Sequence, residues 1–178
     1  MRRLFDRGPR VPAEVSQRAD LPRREKVLAG AATDEGTWLL GTRDALVLVP
    51  TAGRPVRIAW ECVEAADWDR DAGRLRLSEV GEFGQPRPVH VFTVPEPGTL
   101  LPMVRERVSA SVLLQRRVVV TGRSGLRVVA RRAPSGRGPT SWSYELDPGV
   151  DPDDPAVQRA AADGLRAAEE ELGEADRR

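Results

Sequence analysis

Five arginines and two aromatic residues carry the strongest chemical suggestion in this chain: Arg117, Arg123, Arg127, Arg131 and Arg132, then Trp142 and Tyr144. A guanidinium presents a planar fork of donors that matches phosphate oxygens in pairs. If Arg123, Arg127 and Arg131 line one face of a hairpin, they form an anion-contacting surface whose affinity falls steeply with salt. Trp142 and Tyr144 are two residues apart, share a face if the segment is a strand, and would offer bases a stacking platform. Arg116 and Arg137 extend the basic stretch, whereas the last thirty or so residues are acidic. Such asymmetry marks an anionic partner, or else a basic surface neutralised by the chain's own acidic helix. Composition offers a further account. Lys26 is the only lysine among the 28 basic residues, and the wealth of Ala, Gly, Pro and Asp points to a GC-biased genome in which arginine codons are common.

The other reactive side chains lack companions. His90, the only histidine, alternates with Val89 and Val91 and is expected to face solvent, with no nucleophile or co-ligand in view. Cys62 lies between Trp60 and Val63 and reads as a small buried hydrophobe whose neighbours Glu61 and Glu64 oppose a thiolate. Gly122-Arg123-Ser124-Gly125 is a hairpin turn rather than a phosphate loop, because strands flank it on both sides and no lysine follows. Asp147, Asp151, Asp153 and Asp154 lack the ordered spacing of a calcium loop. These readings predict no catalytic residue, no metal ligand, no cofactor and therefore no enzyme.

Composition sets wide bounds. The 178 residues allow one domain with a real core, or a domain with an appendage. A hydrophobic content of 40%, a charged fraction of 31% and a net charge of +1 are those of a globular chain. No apolar run reaches the roughly 20 residues of a spanning helix. A single cysteine rules out an intramolecular disulfide. The basic start, MRRLFDRGPR, has no apolar segment behind it and does not read as a secretory signal, so the expected location is cytoplasmic.

Period-two alternation dominates the elements that must position these side chains. Val56, Ile58 and Trp60 alternate with Arg57 and Ala59, and Leu75 and Leu77 alternate with Arg74, Arg76 and Ser78. Between them, Asp71 and Gly73 supply turn chemistry. Ala45 to Val49 is apolar throughout, as in a strand covered on both faces. Further strands are expected at 26–33, 37–41, 54–60, 74–80 and 89–94, with a bend or helical turn at 61–65. The first 24 residues read as a mobile arm with a short helix at 13–18. Thr99 is the expected N-cap of an amphipathic helix with Leu101, Val104, Val108 and Val112 on its stripe. Beyond it a hairpin about Gly122–Gly125 and a third strand, SWSYEL, are expected. After an acidic linker, a helix is expected with Asp154 as cap, Val157, Ala161, Leu165, Ala168 and Leu172 on one stripe, and Gly173 as stop.

The strand pair TWLLGTRDALVLV, the segment RIAWECVEAADWD, the hairpin GRLRLSEV and the late helix TLLPMVRERVSASVLL resemble the bacterial pleckstrin-homology-like (PH-like) domains, related to PH and GRAM modules. The resemblance covers about 25–116, and the whole chain resembles an actinobacterial family, a likeness that supplies no activity. It implies an α+β fold: a strongly bent antiparallel sheet or partly open barrel closed by an amphipathic helix. The expected organisation is an arm at 1–24, the PH-like domain at 25–116, and a hairpin, strand and C-terminal helix at 117–178 packed on its body. The expected function is a non-catalytic interaction module whose partner is another protein. The alternatives are nucleic-acid binding through the arginine-rich hairpin, or association with an anionic membrane surface, the latter weakened by the lack of an aromatic wedge or lysine cluster.

Overall fold

The structure, a computed structural model, describes residues 10–175. It is an α+β fold of three antiparallel sheets and three helices. A short helix, α1 (Ala13–Arg18), precedes a four-stranded sheet of β1 (Ala29–Ala32), β2 (Trp38–Gly41), β3 (Ala45–Val49) and β4 (Val56–Ala59), paired in chain order. A single 3-10 turn, Trp60–Cys62, leads into β5 (Val63–Asp69), β6 (Arg74–Glu79) and β7 (Val89–Thr93), a three-stranded meander. Helix α2 (Leu100–Ser111) follows. A second three-stranded sheet, ordered β10-β9-β8, is built from β8 (Val112–Thr121), β9 (Ser124–Arg131) and β10 (Ser141–Leu146), and α3 (Pro155–Ala175) completes the chain. The sheets are separate and none closes into a barrel. Among the described residues no helix is long and apolar enough to cross a membrane.

The main core lies between the first two sheets and α2. Leu39, Leu46 and Ile58 meet Trp60, Leu75, Leu77, Leu100 and Val104 there. Trp60 is fully buried, and its indole N–H donates to the carbonyl of Thr42 at 3.0 Å, so its one polar atom is satisfied. The Thr42 hydroxyl accepts the Ala45 N–H at 3.0 Å and closes the turn between β2 and β3. At the other hairpin, Asp69 Oδ1 accepts the N–H groups of Asp71 and Ala72, both at 3.0 Å, and Gly73 takes a φ of +60°. The turn chemistry read at Asp71 therefore belongs to Asp69.

All five residues of β3 are buried, as its unbroken apolar run predicts. The second cover comes from the segment expected to be a mobile arm. Val15 and Ala19 of the α1 segment are buried against Leu40, Val47 and Val49, with Val11, Leu21 and Val27 beside them. Residues 1–9 of that expected arm lie outside the described residues.

Helix α2 departs from expectation at both ends. Thr99 makes no capping hydrogen bond and already has helical angles. The helix stops at Ser111, short of the Val112 and Leu114 expected within it, because Val112 turns to extended angles and the Val-Leu-Leu run joins β8. The buried Ser111 hydroxyl donates to the Val108 carbonyl at 2.7 Å, and the Ser111 carbonyl accepts the Arg132 N–H at 2.9 Å. The end of α2 is thus tied to the end of β9.

The last sheet keeps its own core. Leu126 and Val128 pack under Val157, Ala161 and Ala168 of α3, with Trp142, Tyr144 and Leu165 around them. Asp154 caps α3 as expected, its Oδ1 accepting the Ala156 N–H at 2.7 Å. Gly173 does not stop the helix, which continues to Ala175.

Candidate interaction site

The register of the last sheet separates the arginine-rich residues from one another. Arg127 pairs with Arg117 on one side and Glu145 on the other, and Arg131 lies two pairs further along the same face. Each meets a partner within the molecule. Arg117 donates through both terminal nitrogens to Asp147, at 2.7 Å for the Nη1–Oδ1 bond, and to the Arg123 carbonyl at 2.8 Å. That guanidinium holds the Asp147 carboxyl down to about 2, aided by the Gly125 N–H at 2.9 Å. Arg127 Nε lies 3.3 Å from Glu145.

Arg131 is 2% exposed. Its guanidinium donates to the Ser111 hydroxyl and to the Glu64 carbonyl, both at 3.3 Å, and stands 3.7 Å from Glu145. Burial lowers its pKa, while Glu145 and Glu64 oppose that shift. Glu64 is pushed up by burial in spite of Arg87, which pairs with it and also reaches the Tyr144 carbonyl at 3.4 Å. This knot of charges ties β5 to the last sheet. Arg132 is half-buried beside it, and Arg123 sits exposed in the β8–β9 turn.

Trp142 and Tyr144 do share a strand face, but that face is turned to α3. Tyr144 meets Phe83 edge-on at 5.2 Å and 74°, and burial raises its phenol pKa. Both rings are half-buried and part of the third core. The seven residues therefore do not converge on one open surface: Arg117, Arg127 and Arg131 face carboxylates or the interior, Arg123 hangs in the turn, and the aromatics lie on the face opposite Arg127 and Arg131.

His90 corrects the alternation argument. Val89 and Val91 are exposed, while His90 pairs opposite buried Leu77, stacks parallel to Phe92 at 6.2 Å and places Nε2 2.6 Å from Glu79 Oε1. Cys62 is exposed rather than buried, since the 3-10 turn carries it outward. Its thiol pKa is raised by partial burial first and then by Glu61 and Glu79, so a thiolate is opposed as expected, although by Glu79 in place of Glu64.

The feature that the alternation did not disclose is a groove of about 510 Å³ between β5 and α2. Ala66, Trp68 and Leu75 form its floor and Leu101 and Val104 its wall, with Arg70 and Arg105 at the rim. Trp68 is opposite Leu75 and Ala66 opposite Leu77, which sets both side chains toward the core face, while Asp67 alternates outward. Among the described residues, β5 is an outer strand of its sheet, hydrogen-bonded to β6 alone. Among the described residues, its edge beyond Glu64 therefore leaves backbone groups unpaired next to an apolar trough, the arrangement that accepts an added strand. The signal in the sequence was the Ala66/Trp68 spacing, which lies between the helical turn expected at 61–65 and the turn at Asp71 and Gly73. No protein-family model, curated protein or solved structure matches this chain.

Proposed function

We propose that this protein is a non-catalytic, PH-like interaction module that works in the cytoplasm and binds another protein as an extended segment laid along β5. The observation that carries this reading is the open edge of β5 beside the groove lined by Trp68, Leu101 and Val104. Main-chain hydrogen bonds to the edge would give affinity, and an apolar side chain in the trough would give selectivity. The succession of four strands, three strands and a helix supports the PH-like assignment. Nucleic-acid contact through the hairpin ranks lower, because Arg117 and Arg127 would first have to leave Asp147 and Glu145. Membrane association through the same arginines meets the same obstacle.

The test is selection of binders from a random displayed-peptide library, followed by hydrogen exchange of the complex. Selected peptides should slow exchange of the amides at 65–69 and lose binding to Ser109→Trp, which fills the groove from an exposed position on α2. A library that yields no binder, or binders indifferent to Ser109→Trp, overturns the proposal.

A further inference from the structure

In a second concavity, of about 410 Å³, the cations are largely unmatched by carboxylates. Arg24, Lys26, Arg43, Arg57 and Arg137 line it, from four separate stretches of chain. Only two carboxylates, Glu25 and Asp44, share the lining. Glu25 is committed to Arg57 through a two-pronged pair at 2.8 and 3.1 Å. Asp44 is 3.5 Å from Arg43 Nε. Arg24, Lys26 and Arg137 have no carboxylate partner among the described residues, and all three are exposed.

Arg137 reaches this cleft from the loop between β9 and β10. Gly136 and Gly138 bracket it with φ values of +74° and +83°, angles that side chains rarely adopt, and the Gly136 N–H donates to the Ala133 carbonyl at 2.8 Å. The backbone turns on each side of Arg137 thus present a C-terminal cation to a cleft built by the N-terminal sheet.

We propose that this cleft binds a soluble, compact polyanion, a small molecule bearing two or more phosphate groups. Its volume is in the range of small-ligand sites. Mutual repulsion among unpaired cations is relieved when an anion binds between them, and guanidinium forks suit phosphate oxygens. The cations converge inside a concavity rather than along a stripe, which suits a compact ligand better than a polymer. Leu28 is the one exposed large apolar residue in the lining and no aromatic accompanies it, so the site lacks the wedge of a membrane-inserting surface.

Inorganic tripolyphosphate is the probe, titrated into the full chain by calorimetry at low salt. Saturable one-to-one binding is expected, weakened at least about tenfold by Arg137→Glu and by Lys26→Glu. Arg123→Glu, in the distant exposed turn, should bind like the parent. Absence of saturable binding, or an equal loss in Arg123→Glu, overturns the proposal. Phosphatidylglycerol vesicles and single-stranded RNA form two further arms: retention by either that tripolyphosphate does not displace also overturns it, in favour of that polymer or surface. Unchanged thermal melting of the variants separates loss of binding from loss of fold.

Discussion

Replacing Gly164 by alanine should destabilise this protein, although the same change in an ordinary helix stabilises it. Gly164 sits in the middle of α3 on the face buried against the last sheet. A Cβ there would stand 2.5 Å from Val118 Cγ2 and 3.2 Å from Val128 Cγ2. Neither valine can swing aside freely, because β-branched side chains are restricted at χ1 and Val128 is fully buried. Helix propensity favours alanine by about 0.8–1 kcal/mol, whereas forcing a methyl into a packed core costs about 1–3 kcal/mol. The net effect is a loss on the order of 1 kcal/mol. Urea unfolding followed by far-ultraviolet dichroism measures it, with an unchanged slope confirming that the unfolded reference is the same. The decisive comparison is made in a Val118→Ala background. Removing both γ-methyls opens the space, so Gly164→Ala should there become neutral or stabilising by up to about 1 kcal/mol. Stabilisation in the parent background, or additive effects of the two substitutions, would refute the close approach of α3 to β8.

Two further outcomes follow from the charges around the last sheet. Because Asp147 has its folded pKa lowered from 3.8 to about 2, its contribution is complete above about pH 4 and is lost as pH falls through 2. Asp147→Asn should therefore flatten the acid limb of a urea-midpoint profile. Glu64, whose pKa is raised by burial, works in the opposite direction and leaves a residual slope in that variant. Arg131→Met should cost about 1–3 kcal/mol, because it takes the donor from the Ser111 hydroxyl and the Glu64 carbonyl and leaves Glu145 with Arg127 as its remaining cation. Calorimetric melting reads this, and a loss below about 1 kcal/mol would mean that the knot is ordinary surface pairing.

Local pattern made several elements legible from residue types alone. β3 follows from five consecutive apolar residues, β6 from the alternation of Leu75 and Leu77, and the α3 stripe from Val157, Ala161 and Ala168 at helical spacing. The cap at Asp154 was equally plain, since caps depend on residues within a few positions of each other. The helical turn expected at 61–65 falls at Trp60–Cys62 instead, and β5 already begins at Val63. Only the tertiary structure decided which surfaces remained open. Arg131 and Arg123 look alike in sequence, yet one is enclosed by Ser111, Glu64 and Glu145 and the other hangs in a turn. Trp142 and Tyr144 share a face as their spacing requires, but spacing cannot say that α3 covers it. His90 and its valines show the same limit, because alternation assigns residues to two faces without saying which is inside. The groove beside β5 and the cleft holding Arg24 and Arg137 arise where segments far apart in the chain meet, so no local pattern encodes them.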